Sequence, residues 1–143
     1  MCLASIGRLV EELLDRSVYV KVPARAEFLM LLRTVTGGVA TRMALPLDAI
    51  DDLRLAVDEA VAFLLTTARD AAHVEMRLYP SDGELTATIG TDSSIELWPP
   101  HDYRSMLPWQ VISGLTDAAS FTRSEQGTPT ISFVKRTLDA RAT

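Results

Sequence analysis

The chain has 143 residues, 48% of them hydrophobic, with 14 Lys and Arg against 19 Asp and Glu and a formal net charge of −5. That is enough apolar side chain for one domain with a sizeable core, and too much for a disordered segment. The acid excess, with no block of Lys or Arg, argues against direct nucleic-acid binding; the apolar runs are too short to span a bilayer; and one cysteine, Cys2, cannot build a disulfide framework.

In chain order, Met1–Gly7 has no basic stretch ahead of a long apolar run, so no secretory signal is expected, and Cys2 reads as a thiol at a frayed terminus. Leu3, Ile6, Leu9, Val10, Leu13 and Leu14 form a helical stripe, making 1–16 a helical extension that docks or frays. Ser17–Val22 alternates valines with polar residues and reads as a strand that Pro23 stops. Ala24–Met43 predicts a helix with Phe28, Leu31, Leu32, Val35 and Val39 on its core face, weakened by Gly37-Gly38. Leu45-Pro46 breaks it, and Leu47–Thr67 predicts a second helix with the stripe Leu47, Ile50, Leu53, Val57, Val61 and Leu64. His73–Tyr79 and Leu85–Ile89 alternate on either side of Pro80-Ser81-Asp82-Gly83, a hairpin with one buried face. Thr91–Tyr103, with Pro99-Pro100, reads as a loop, and Ser105–Ala118 as a short helix. Ala119–Ser124 and Thr130–Lys135 flank a Gln126-Gly127 turn as a closing hairpin, leaving 139–143 as a tail after a domain over 17–138. The expected fold is a two-layer α/β sandwich, helices on one face of a mixed, mostly antiparallel sheet.

On the second long helix, 100° steps put Asp52, Leu55, Glu59, Phe63 and Thr66 on a side away from the core stripe, with Glu59 and Phe63 one turn apart. This stretch, Asp51–Leu65 (DDLRLAVDEAVAFLL), resembles the helix that carries a catalytic glutamate and a magnesium-holding asparagine in the histidine-kinase-like (GHKL) ATPases. Ser105–Asp117 (SMLPWQVISGLTD) resembles the helix opening of that superfamily's nucleotide lid. The resemblance implies the Bergerat fold. It puts Glu59 at the position of the general base, and Phe63 where the asparagine oxygen would bind Mg²⁺. Without the resemblance Glu59 is a solvated helix charge. Asp92 comes nearest the superfamily's adenine-reading aspartate, though its glycines are missing and it reads equally as a turn cap. Met106 and Pro108 stand at two lid glycines whose bare amides would wrap phosphates. Gly127-Thr128 matches a terminal Gly-Thr element, and alone is a hairpin turn. The expectation is a vestigial Glu59, no cofactor and no metal. ATP with Mg²⁺ stays open only if Asp52 or Asp58 supplies the missing oxygen, and Asp58 points elsewhere while Asp52 lies too far along the helix from Phe63. His73 and His101 are far apart, without a Cys or acidic cluster to make a metal site.

Val22–Ala40 (VPARAEFLMLLRTVTGGVA), with DDLRLAVDEA and the closing Gly127–Leu138, is similar to the bacterial anti-sigma factors of the RsbW/SpoIIAB type, over roughly Ser17 to Leu138. That resemblance implies a cytoplasmic homodimer that holds a stress-response or sporulation sigma factor off RNA polymerase. An anti-anti-sigma protein competes for it, and active members phosphorylate that competitor on serine. Helix geometry turns Arg33 outward from the core stripe, with apolar Met30 and the bare backbone of Gly37 exposed on the same side; the resemblance implies that Arg33 contacts these partners, and without it Arg33 is a solvated charge. An active serine/threonine kinase and a non-sigma signalling adaptor remain the alternatives. Neither nucleic acid nor a membrane is an expected partner.

Overall fold

Segments with a hydrophobic period of two assemble into one sheet, and segments of period 3.6 cover one of its faces. The computed structural model describes residues 3–137, for 10–15 the backbone alone; Cys2 and the expected tail at 139–143 lie outside the described residues. The strands are β1 (Val18–Pro23), β2 (His73–Ser81), β3 (Glu84–Thr91), β4 (Ala118–Arg123) and β5 (Pro129–Arg136). The helices are α1 (Leu3–Arg16), α2 (Leu29–Arg42), α3 (Leu47–Thr67) and α4 (Leu107–Leu115). The sheet order is β1-β2-β3-β5-β4, and each pairing is antiparallel, so the sheet expected to be mixed is antiparallel throughout. Ser81 pairs with Glu84, which leaves Asp82-Gly83 alone to turn the β2–β3 hairpin, with Gly83 at φ +76°. Because β5 lies between β3 and β4, the segment between β3 and β4 must carry the chain across the helical face to the far edge.

Val22, Val74, Met76, Leu78, Leu85, Ala87, Ile89, Phe121, Ile131 and Phe133 bury the inner face of the sheet. The expected stripe of α3 is buried from Ile50 to Leu64, joined by Ala49, Ala56 and Ala60; Leu47, in the first turn, is 72% exposed. In α2 the face is turned from the expected one. A single 3-10 turn (Ala26–Phe28) precedes the helix; Leu32, Thr36, Gly37 and Ala40 are buried, while Leu31 is 47% exposed. Thr36 tolerates burial because its hydroxyl donates to the Leu32 carbonyl at 2.8 Å and lies 3.4 Å from Met76 Sδ. A polar residue in the core stripe is what a reading by hydrophobic period misses. Helix α1 packs against β2, with Leu3, Ile6 and Leu9 exposed.

One charge sits on the inner face. Lys135 is 6% exposed, in the row of Ile131 and Phe133. Its Nζ donates to Asp52 Oδ2 of α3 at 2.9 Å and to the Leu115 carbonyl, the last residue of α4, at 2.7 Å. A buried ammonium needs such partners, and the carbonyl end of a helix suits a cation. Sheet, α3 and α4 thus meet at one atom. Lys135→Met keeps the bulk and removes all donors, so it should cost roughly 1–3 kcal/mol, read as a lowered urea midpoint; an unchanged midpoint would show that the contact does not hold α4.

Candidate functional site

Two places on α3 carry chemistry outside the core stripe. The first is the cleft between α3, β4 and the segment leading into α4. Phe63 points into it and meets Trp98 and Phe121, each with ring centroids 5.7 Å away. Phe121, on the inner face of β4, is the hub. Trp98 stacks on it at 5.6 Å and Tyr103 at 5.1 Å, while Trp109 of α4 meets it edge-on at 5.4 Å and Tyr103 edge-on at 5.2 Å. Such ring pairs add about 0.5–1.5 kcal/mol each beyond the area they bury. The buried Trp98 donates its indole N–H to the Thr122 carbonyl at 2.6 Å, and Arg123 Nε donates back to the Trp98 carbonyl at 2.7 Å. The Arg104 guanidinium lies over Tyr103 and Trp109, 5.7 and 5.8 Å from the ring centroids.

The other residues singled out from the sequence fall around this cluster. Glu59, half-buried one turn before Phe63, makes no hydrogen bond or ion pair among the described residues. Met106 has extended backbone just before α4, and Pro108 lies in the first turn of that helix, where its missing N–H costs nothing. Asp92 points away from the rings. Its Oδ1 accepts the amides of Ala72 at 2.8 Å and His73 at 3.0 Å, and its Oδ2 lies 2.9 Å from His73 Nδ1. Burial alone would raise its pKa, but these bonds from His73 and Ala72 outweigh that and hold the carboxyl below the usual aspartate range. Gly127, at φ +80°, and Thr128 close the β4–β5 turn, Thr128 bonding to Ser124 through its amide, carbonyl and hydroxyl. The structure therefore gathers Glu59 and Phe63 with α4, and leaves Asp92 and Gly127-Thr128 in turns of their own. Asp52 is taken up by Lys135 and Asp58 by Arg33, so neither carboxylate is free to replace an oxygen at Phe63. Among the described residues no group of three or more His, Cys, Asp or Glu side chains is gathered as a metal would require.

The second place is the seam between α2 and α3. Arg33 Nε lies 3.1 Å from Asp58 Oδ1, yet both atoms are buried without an aligned hydrogen bond. Burial pushes the Asp58 carboxyl above its ordinary pKa, and Arg33 offsets only part of that. The Arg33 side chain is still 38% exposed, beside Met30 at 65%. Gly37 differs from the expectation of a bare exposed backbone: it is buried beneath Arg54 of α3. A Cβ at position 37 would sit 2.6 Å from Arg54 Nη2 and 2.7 Å from its Nε.

Reading by period missed Trp98, Tyr103, Trp109, Phe121, Lys135 and Arg54. The one available signal was that both tryptophans lie close to Pro99-Pro100 and the lid-like helix, in a chain only 6% aromatic.

No family model matches the sequence. The chain is 35% identical over 104 residues to the anti-sigma-F factor RsbW of Mycobacterium tuberculosis, which covers 71% of this chain and 59% of that protein. It is 31% identical over 74 residues to the serine-protein kinase RsbW of Bacillus cereus, covering 51% of this chain and 40% of the other. The chain thus spans well under two thirds of the length of these relatives. A crystal structure of the RsbU and RsbW domains of a Mycobacterium tuberculosis protein superposes with a TM-score of 0.61, at 14% identity, over 84% of this chain and 32% of that one. That likeness shows a shared fold. No helix among the described residues is long and apolar enough to cross a membrane.

The Asp92 contacts set a pH dependence. A folded pKa below the unfolded value of about 3.9 means stability that is complete above that value and lost as pH falls through the folded pKa. Asp92→Asn should therefore melt below wild type at pH 7, and the gap should close in strong acid; a gap that persists unchanged there would assign the effect to shape rather than charge.

Proposed function

This chain belongs to the RsbW-type proteins of the GHKL superfamily, and we propose that it is an anti-sigma factor working by stoichiometric sequestration rather than by nucleotide turnover. The observation that carries the reading is Arg33, presented with exposed Met30 where α2 meets α3. A partly exposed guanidinium beside apolar side chains is a composition enriched at protein interfaces. A sigma factor bound there is withheld from RNA polymerase, and an anti-anti-sigma protein that competes for the same seam releases it. Both partners act where transcription occurs, which assigns the chain to the cytoplasm. The strand edges of β1 and β4 offer room for pairing in a homodimer.

The cleft supports the other half of the reading. A Mg-nucleotide needs an oxygen ligand at position 63 and flexible amides at the lid. The cleft offers Phe63, Met106 and Pro108, and five rings pack where the phosphates would lie. The residues present do not fit the group. Glu59 could still take a proton, but nothing beside it binds the metal that would present the phosphate. The relatives named as serine-protein kinases motivate a rival reading as an active kinase. The engagement of Asp52 and Asp58 speaks against it.

The test is capture of a sigma factor by the tagged chain, followed by titration of that purified sigma factor into variants. Arg33→Glu should weaken binding at least hundredfold while the circular dichroism spectrum stays native. Because glutamate would also face Asp58, Arg33→Gln is the control and should weaken binding by about tenfold or more. Wild-type affinity in both variants would remove the seam from the account.

A further inference from the structure

The contact between Gly37 and Arg54 assigns a role to a residue outside the partner-binding set described above. Helices α2 and α3 run antiparallel, so residues four apart on one meet residues four apart on the other. Arg33 faces Asp58, and one turn along, Gly37 faces Arg54. The Arg54 guanidinium lies across the backbone of α2 at Gly37, in space that any side chain at 37 would fill. Its tie to its own helix is loose: Nη1 is 3.6 Å from Asp51 Oδ1, and the two side chains are 41% and 59% exposed. A surface pair of this kind, three residues apart, contributes little to stability and does not require the side chain to cross onto the neighbouring helix. The bare backbone of Gly37 is what leaves that path open.

We propose that Arg54 is a second recognition cation, set beside Arg33 by the slot at Gly37, so that the seam presents two guanidinium groups one helical turn apart to an acidic surface on a protein partner. Arg33 is paired with Asp58 at 3.1 Å, which restricts its rotamers and lowers the entropy lost on binding; Arg54, only loosely tied to Asp51, is placed by the slot at Gly37. Leu55, exposed next to Arg54, and Met30, beside Arg33, give the pair an apolar border. Gly37 is then a positioning residue that acts through Arg54.

The proposal rests on the reading of the seam as the partner face, and a mutant cycle separates the two. The probe is the purified sigma factor that co-elutes with the tagged wild-type chain. Arg54→Ala should weaken its binding about tenfold and flatten the dependence of Kd on salt, with an unchanged melting temperature. Gly37→Ala displaces only the far end of a flexible side chain, so it should fold normally and lose a similar factor. Added to Arg54→Ala, it should cause no further loss. Wild-type affinity in either single variant overturns the proposal, and so does a full additional loss in the double variant, which would mean that residue 37 meets the partner directly. If Arg33→Glu also binds normally, or the wild-type chain captures no sigma factor, the seam reading itself falls. If Arg33→Glu abolishes binding and Arg54→Ala does not, only the second cation does.

Discussion

The arrangement of this domain depends on the stacking of Phe121 against the rings that approach it from three directions. The sheet and its two long helices are held by ladders and a continuous apolar core. The crossover from β3 to β4 has no ladder, and joins the core through Trp98 and Ile112. It spans the helical face with one short helix and no strand of its own, and what fixes it is the contact of Trp98, Tyr103 and Trp109 with Phe121 and Phe63. At the far end of α4, Lys135 holds the last carbonyl and Asp52 together. Helix α4 and the segment before it are pinned at both ends, by apolar stacking at one and by a buried cation at the other. Removing either pin exposes groups that have no alternative partner.

Helix α3 carries three separate duties on three faces. Its stripe from Ile50 to Leu64 builds the core, Phe63 closes the cleft, and Arg54 with Asp58 forms half of the seam. Two of its carboxylates are committed to other groups. Asp52 compensates a buried lysine, and Asp58 is desolvated against Arg33. Only Glu59 is left over. At the seam Arg33 Nε and Asp58 Oδ1 lie close but unaligned, and burial raises the Asp58 pKa.

The long helix α3 and the β2–β3 hairpin were legible in the sequence because each repeats one period for many residues, and side-chain alternation and turn chemistry agree. The tilt of α2 was not. A buried threonine satisfied by its own helix looks polar in any hydrophobic count, so the face was assigned one step away, and Gly37 was placed in solvent instead of under Arg54. Lys135 falls in the inward phase of its strand, but its partners lie at positions 52 and 115, and no local pattern announces them. The aromatic cluster is likewise assembled from α3, the crossover, α4 and β4. Phe63 as a ring one turn from Glu59 was readable from the helix period; Phe63 as one wall of a packed cluster required the chain to be folded.

Sequestration without nucleotide turnover requires that partner binding be indifferent to nucleotide. The deciding measurement is the Kd for the captured sigma factor with and without Mg-ATP, taken together with the fluorescence of Trp98 and Trp109 as Mg-ATP is added. The same Kd in both conditions and a flat fluorescence trace are expected, because the rings already occupy the cleft. A Kd that tightens with Mg-ATP, or a saturable fluorescence change at micromolar Mg-ATP, would contradict it and restore the cleft as a working nucleotide site.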